Sequence, residues 1–585
     1  MTQTKVESIP PKNYISELGK LFTKKEDNSK LEIPKLEDYD MNPKTGFLPA
    51  TPPLKRLSDI YYEPWETLIA DMKDLLLCGK YRNRILQLKV LSIDKLINLK
   101  EYQRAFSILT FLQHSFIWGK NEPVSQALPE CIAVPLVQIS EKLGINPVSC
   151  NAAVVLWNWK LIDEEEEVDL NNLSTLSSFT GSLDEAWFYL ITVAIEAKGG
   201  IALSSIINTL NYIKSIDTQN VIIELKKMAA SIKGMTELLD RMYEKCDPYL
   251  FYWKLRPYLA GWENMSEAGL PHGILYKGVD DIDRKVGDPI QFRQYAGGSA
   301  AQSALIQVLD IALGIVHYPT NSEWQKMKEK GEIKKSSETY LYSMRAYMPG
   351  LHRKFLEDLA LVSNIKEFVE RNGGECAEAY NECVLNLKEF RDQHIKIVTR
   401  YIIVPARKGP SIGSFTIDSE HTIKPDNLRK DSIISSLVNP NPNSSTNILD
   451  SIPENDTKGS TRSSSPISII NVNNSSNGIS QSPTSNSSNP NSFVRESPRL
   501  RSGTGSGSVD LSYPQLANSA NKLTRKNSAK FNLEFGLARS KASAESDSDT
   551  FRGTGGTDLI PFLKQVRDET TDSVINDPNI LFPPL

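Results

Sequence analysis

Thirty-five of the 80 residues from Asp431 to Asp510 are serine or asparagine. A stretch of that kind has too little apolar surface to offset the entropy of ordering it, so disorder is its expected state. The same Ser, Asn, Pro and Gly richness, poor in aromatics, extends over 406–550. The chain of 585 residues must therefore build its core from two separate blocks, about 45–405 and 551–585, with 1–44 as an extended lead-in. Hydrophobic residues are 40% of the whole and charged residues 24%, and outside the polar stretch the composition is that of an ordinary globular protein. Net charge is −4, and no basic cluster is interleaved with aromatics, which argues against a nucleic-acid platform. No apolar run reaches about 18 residues, 187–197 being the nearest, so no membrane span is expected. The polar first ten residues lack the apolar stretch of a signal peptide. Cys78, Cys131, Cys150, Cys246, Cys376 and Cys383 lie far apart with no CxxC, which argues against a zinc cluster or a disulfide framework. A cytoplasmic, monomeric protein is the expectation.

Apolar spacing is helical nearly everywhere else. Trp65, Leu68, Ile69, Met72, Leu75 and Leu76 follow the i, i+3, i+4, i+7 pattern, and similar patterns run through 84–99, 132–143 and 147–159. The acidic run 164–167 reads as a solvated loop, since nothing arranges its carboxylates around one point. Asp217 is placed to cap a helix over 219–245. The longest helix is expected at 376–404, with Tyr380, Val384, Leu387, Arg391, His394, Val398 and Tyr401 on one face and Pro405 as its stop. Without period-2 alternation, the fold class is all-α. Near the C-terminus a glycine-rich run, 553–559, leads into the amphipathic Ile560, Phe562, Leu563 and Val566, with Thr557 as N-cap. So short a segment must dock on the main body to stay ordered.

Six histidines occur, His114, His272, His317, His352, His394 and His421, none in an HxxxH or HExxH pair. His394 sits on the apolar face of the 376–404 segment. On spacing alone, a hydrogen-bonded core histidine and a single axial ligand to haem iron both fit it. Gly297-Gly298-Ser299 precedes an apolar helix at 304–315. It reads either as a plain turn or as a small-residue site where an anion or a flat cofactor approaches the backbone. Phe251-Tyr252-Trp253-Lys254-Leu255-Arg256 lets Tyr252 and Arg256 share a helix face with Phe251 nearby. That grouping suits a ligand with a flat apolar end and a carboxylate, and it equally suits core aromatics beside a surface arginine.

Taken together and in order, these blocks resemble the indoleamine 2,3-dioxygenase family, the haem enzymes that open the indole ring of tryptophan. The resemblance rests on Ala296-Gly297-Gly298-Ser299-Ala300-Ala301-Gln302, Met348-Pro349 with His352-Arg353 and Phe355-Leu356, and His394 with Ile397-Val398-Thr399 and Tyr401-Ile402. It extends to Gly553 through Leu559, Ile132-Ala133-Val134-Pro135, Asn158-Trp159, and Tyr258-Leu259 with Gly261-Trp262. It covers about 45–405 and 551–575.

The resemblance implies a two-domain helical haem dioxygenase, with a small domain at 45–175 and a large haem-binding domain at 176–405 completed by 551–585. It implies haem b as cofactor, with His394 as the proximal ligand to iron and Arg391 paired with Asp310 behind it. Phe188, Thr192, Phe251 and Arg256 match residues that pack the indole and hold the substrate carboxylate. Ser299 and Ala300 match the segment against haem and substrate, and Thr554 the mobile loop over the amino-acid end. The implied reaction takes L-tryptophan and O₂ to N-formylkynurenine, the first step of the kynurenine route towards NAD. Thr192 stands where animal members often have Ser, Tyr189 where Phe is common and Ala260 where Ser occurs; the family connection at 407–550 is usually much shorter. Two rivals remain at this stage: a haem-binding homologue without catalysis, and a helical interaction protein acting through its Ser-rich segment.

Overall fold

The computed structural model describes residues 32–119, 122–282, 288–320, 339–409, 551, 553–554 and 558–576. Of the stretch 406–550 expected to be disordered, 406–408 instead close a short helix, Val404–Lys408. Its residues from 410 on, like the Thr557 cap, lie outside the described residues. The helices that organise the fold are α1 (Glu63–Leu77), α2 (Tyr81–Leu86), α3 (Leu99–Ile117), α4 (Glu130–Leu143), α5 (Leu183–Lys214), α6 (Thr218–Asp240), α7 (Ala304–Ala312), α8 (Gly350–Val362), α9 (Ile365–Asn372), α10 (Gly374–Val398) and α11 (Leu559–Thr571). The all-α expectation holds. Strand structure among the described residues amounts to a parallel pair, Ala127–Leu128 with Leu275–Tyr276, and an antiparallel pair, Trp159–Leu161 with Leu173–Thr175.

Helices α5, α6 and α10 pack side by side as the main core layer, α11 lies along α10, and α4 packs on α3. Among the described residues the longest helix is α5, with 32 residues against 25 in α10, which corrects the sequence expectation. Gly199-Gly200 stand in its middle, where local propensity alone disfavours a helix. In the structure they are places of close approach. A Cβ on Gly199 would meet the Leu305 side chain at 2.3 Å, and one on Gly200 the Lys44 carbonyl oxygen at 2.4 Å. By length and composition α5 is apolar enough to cross a membrane, yet 67% of its apolar window is buried inside the protein.

Local chemistry explains the boundaries. The Asn98 side chain accepts from Glu101 N at 3.1 Å and opens α3, and Ser182 opens α5 by accepting from Glu185 N at 3.2 Å. Asp217 caps α6 as expected, accepting from Asn220 N at 3.1 Å, although α6 ends at Asp240. The 84–99 pattern is helical only to Leu86, and 147–159 holds one π-type turn, Ala152–Leu156. The acidic run 164–167 is an exposed turn. Pro405 does not stop the long helix. A π-type turn, Thr399–Ile403, follows α10 and resets the hydrogen-bond register, so Pro405 falls in the first turn of Val404–Lys408. There its missing N–H costs nothing. Asp558, the residue after Thr557, occupies the N-cap position of α11.

Candidate active site

Helix α10 carries the first group. Tyr380, Val384, Leu387, Arg391, Val398 and Tyr401 are buried along one face, and His394 is half-buried on it. Neither ring nitrogen of His394 has a hydrogen-bond partner among the described residues. The side chain is still partly accessible to solvent. The protein around it is nevertheless dense enough that burial, with the Arg391 charge added, pushes the imidazole pKa down to about 4. His394 is therefore neutral near pH 7, the form that coordinates a metal. One helical turn earlier, Arg391 Nη2 donates to both oxygens of Asp310 on α7 at 2.6 and 2.8 Å. Its Nη1 donates to Thr570 Oγ1 on α11. Burial alone would raise the Asp310 carboxyl, but Arg391 and His317 outweigh it and hold the group below the usual carboxylate range.

The second group joins α5 to the turn that follows α6. Phe188 meets Phe251 edge-on with ring centroids 5.0 Å apart, and Phe251 meets Tyr401, beyond α10, at 5.6 Å. Thr192 keeps its hydroxyl on the helix, donating to Phe188 O at 3.1 Å. The π-type turn Phe251–Leu255 runs into a short helix, Arg256–Leu259. The expected sharing of a face holds: the Arg256 guanidinium lies 5.5 Å from the Tyr252 ring centroid. Arg256 is only 1% exposed, so the reading of a surface arginine is wrong, and burial lowers its pKa.

Backbone carbonyls fix this turn. His114 Nδ1 donates to Tyr258 O at 2.8 Å while its Nε2 accepts from Ser149 N at 3.1 Å, and Trp118 Nε1 donates to Ala260 O at 2.9 Å. His114 and Trp118 lie one turn apart on α3 and just past its end, so both grip one segment. Sequence reasoning passed over both, since neither sits in a motif.

The third group is the 297–302 segment with Thr554. Gly298 N donates to Leu259 O at 2.9 Å, Gly297 N to Thr554 O at 3.0 Å, and Ser299 N to Gln302 Oε1 at 3.2 Å. All three amides are engaged, so the Gly-Gly-Ser turn offers no anion site. Thr554 Oγ1 donates in return to Gly298 O. Ser299 and Gln302 form a capping box ahead of α7, and Ala300 is exposed beside them. A pocket lined by Ser140, Gly144, Arg293 and Arg353 shares none of the candidate residues.

Among the described residues no three His, Cys, Asp or Glu side chains converge on a metal-sized site. Two imidazoles are neutral with no ring-nitrogen hydrogen bond among the described residues, His394 and His352. His352 is fully buried edge-on against Phe47, with ring centroids 4.9 Å apart, so the partly accessible His394 is the one open to an incoming metal. That donor set suits a metal whose remaining ligands belong to its cofactor, and an aromatic group with a buried guanidinium stands in the same core. The described residues thus define a helical core that holds a neutral, partly accessible imidazole, an edge-to-face aromatic pair and a buried guanidinium. A family model described as "Indoleamine 2,3-dioxygenase" matches residues 35–435 and 515–573. Indoleamine 2,3-dioxygenase of Saccharomyces cerevisiae is 42% identical over 386 residues, 64% of this chain and 81% of the relative. Indoleamine 2,3-dioxygenase 2 of Mus musculus is 31% identical over 397 residues, 67% and 91% of the two chains. A 6-hydroxytryptophan 2,3-dioxygenase of Fusarium equiseti is 34% identical over 373 residues, 63% and 86%. The chain belongs to the indoleamine 2,3-dioxygenase family, and it is a dioxygenase of that haem-dependent family.

Proposed function

We propose that the protein is a haem dioxygenase that cleaves the indole C2–C3 bond of L-tryptophan with O₂ to give N-formylkynurenine, the entry to the kynurenine route. The observation that carries this is His394: neutral, without a hydrogen-bond partner among the described residues, and one turn from the neutralised Arg391–Asp310 pair. His394 would hold haem b as its axial ligand. When bound, the haem supplies the reactivity toward O₂ that places one oxygen atom on each carbon of the broken bond.

The chain's own residues orient the substrate and exclude water. Phe188 and Phe251 present an edge-to-face aromatic wall for the indole ring. Arg256, already desolvated, holds the substrate carboxylate with a charge-assisted bond. Ser299 and Ala300 border the substrate, and Thr554 closes on Gly298 at the amino-acid end. No imidazole is needed as a base on the substrate side, because positioning of the two reactants is the protein's main contribution. The same reading divides the fold into a small domain at 45–175 and a large one at 176–405 with 551–585, in a cytoplasmic monomer. Its six cysteines, all unpaired, suit a reducing compartment.

The test is an absorption spectrum of the purified protein with haem, then turnover assays with L-tryptophan and 6-hydroxytryptophan. The expected result is a His-ligated haem spectrum and formation of N-formylkynurenine. His394→Ala should abolish stable haem uptake with helical content preserved. Haem uptake without turnover of either substrate would leave a non-catalytic homologue, and a normal His-ligated spectrum in His394→Ala would overturn the ligand assignment.

A further inference from the structure

His317 stands between two carboxylates from distant parts of the chain. Its Nε2 lies 2.9 Å from Asp310 Oδ2 on α7, and its Nδ1 lies 2.7 Å from Glu569 Oε2 on α11. A neutral imidazole has one N–H and one lone pair, so between two carboxylates it would set a lone pair against an oxygen. Only the imidazolium donates to both. Charge counting agrees. Asp310 and Glu569 bring two negative charges, Arg391 and His317 two positive ones, and the four side chains are between 4% and 10% exposed. The second oxygen of Glu569 is filled by Gln565 Nε2 at 2.7 Å and Tyr318 N at 3.2 Å. Arg345 acts on Asp310 from further off, with its own Nε on Gln307. Removing the proton from His317 would leave one buried carboxylate without a cation, a costly state.

We propose that protonated His317 is the clamp that docks α11 on the Asp310–Arg391 pair and through it positions the Ser299 and Thr554 segments. Two neighbouring residues of α11 make the attachment, Glu569 to His317 and Thr570 to Arg391. Two turns earlier on the same buried face of α11, Phe562 packs edge-on against Tyr340 at 5.0 Å, and the Tyr340 hydroxyl reaches Ser299 Oγ at 3.5 Å. His317 is a positioning residue, since it acts through the helix. The docking stands by itself, while its effect on substrate rests on the function proposed above.

Burial would lower the His317 pKa, but Asp310 and Glu569 outweigh it and the group is raised above its ordinary value. The sign follows. The clamp is fully engaged below about 6.5, the unfolded value, and is released as pH rises through the raised folded value.

Hydrogen exchange across 559–571 in the full-length protein, followed from pH 6 to 9 and corrected for intrinsic rates, tests it. The wild type should lose protection as pH rises. His317→Gln should lose about 10- to 100-fold of protection at pH 6, the worth of one charge-assisted bond, and show little further change with pH. His317→Lys, which stays charged, should keep protection at high pH. Glu569→Gln removes the second carboxylate and should flatten the pH dependence even if His317→Gln does not fold. Wild-type protection and slope in both neutral variants would overturn the clamp. With the haem-loaded enzyme, His317→Gln should raise KM for tryptophan more than it lowers kcat. Lost protection with an unchanged KM would overturn the positioning of the substrate segments and leave the docking. Intact protection in an enzyme that never turns over tryptophan would count against the function alone.

Discussion

Gly261 and Gly297 lie back to back: a Cβ on either would come within 2.4 Å of the other's nitrogen. The segment after Arg256 and the segment before Ser299 therefore touch through bare backbone. An alanine at either position must push the two apart, and overpacking of this kind typically costs about 1–3 kcal/mol. Gly261→Ala and Gly297→Ala should each lower the unfolding midpoint and raise KM, because Arg256 and Thr554 are separated. A wild-type midpoint and KM in Gly297→Ala would show that the contact is not needed.

Arg256 is buried under Tyr252, and its guanidinium is already stripped of water before any ligand arrives. A charge-assisted bond to a carboxylate is worth about 1.5–3 kcal/mol. Arg256→Ala should weaken tryptophan binding by about 10- to 150-fold while leaving indole, which has no carboxylate, unaffected. Equal losses for both ligands would point to misfolding of the 251–259 turn.

Glu196 on α5 gives a pH signature of stability. It is buried and accepts from Ser303 Oγ at 2.7 Å. Burial pushes its pKa up to about 7, with Ser303 and Asn151 offsetting only part of the effect. The folded state thus holds the proton more tightly than the unfolded chain. The contribution of Glu196 to stability should be greatest below the unfolded value of about 4.3 and fall as pH rises towards 7, by up to about 3 kcal/mol. Glu196→Gln should remove that slope, so denaturation at pH 5 and pH 8 should show the variant gaining on the wild type. Parallel pH profiles would refute the assignment.

Much of this was legible in sequence where the signal is local. The face of α10 follows from spacing alone, the Asp217 cap from residue type, and the Arg256–Tyr252 contact from a four-residue step. The misses have tertiary causes. The length of α5 was not legible because the contacts that explain Gly199-Gly200, the Leu305 side chain and the Lys44 backbone, are far away in sequence. The π-type turn before Pro405 has no sequence mark, so a proline inside a helical run was read as a stop. His317 drew no attention because one of its carboxylates lies seven residues away and the other 252. His114 likewise meets Tyr258 only in the fold.

The chain leaves the described core and returns to it at one place. Phe551 packs with Tyr252 and Ile403, the Arg407 guanidinium lies 5.4 Å from the Phe551 ring centroid, and Leu559 N donates to Phe551 O at 2.9 Å. The described residues that flank 410–550 are thus already held together by contacts of their own. The entropy of closing a loop grows with the logarithm of its length, so a tenfold change in length is worth only about 2 kcal/mol. Replacing 411–549 with a short Gly/Ser linker should therefore preserve haem loading and tryptophan turnover, and should tighten substrate binding slightly as Thr554 is held nearer. Thr554→Ala in the same background should lower activity, because the hydroxyl that donates to Gly298 O is gone. Loss of turnover in a deletion variant still fully loaded with haem would mean that the polar stretch takes part in building the site, and the picture of an independent loop would be abandoned.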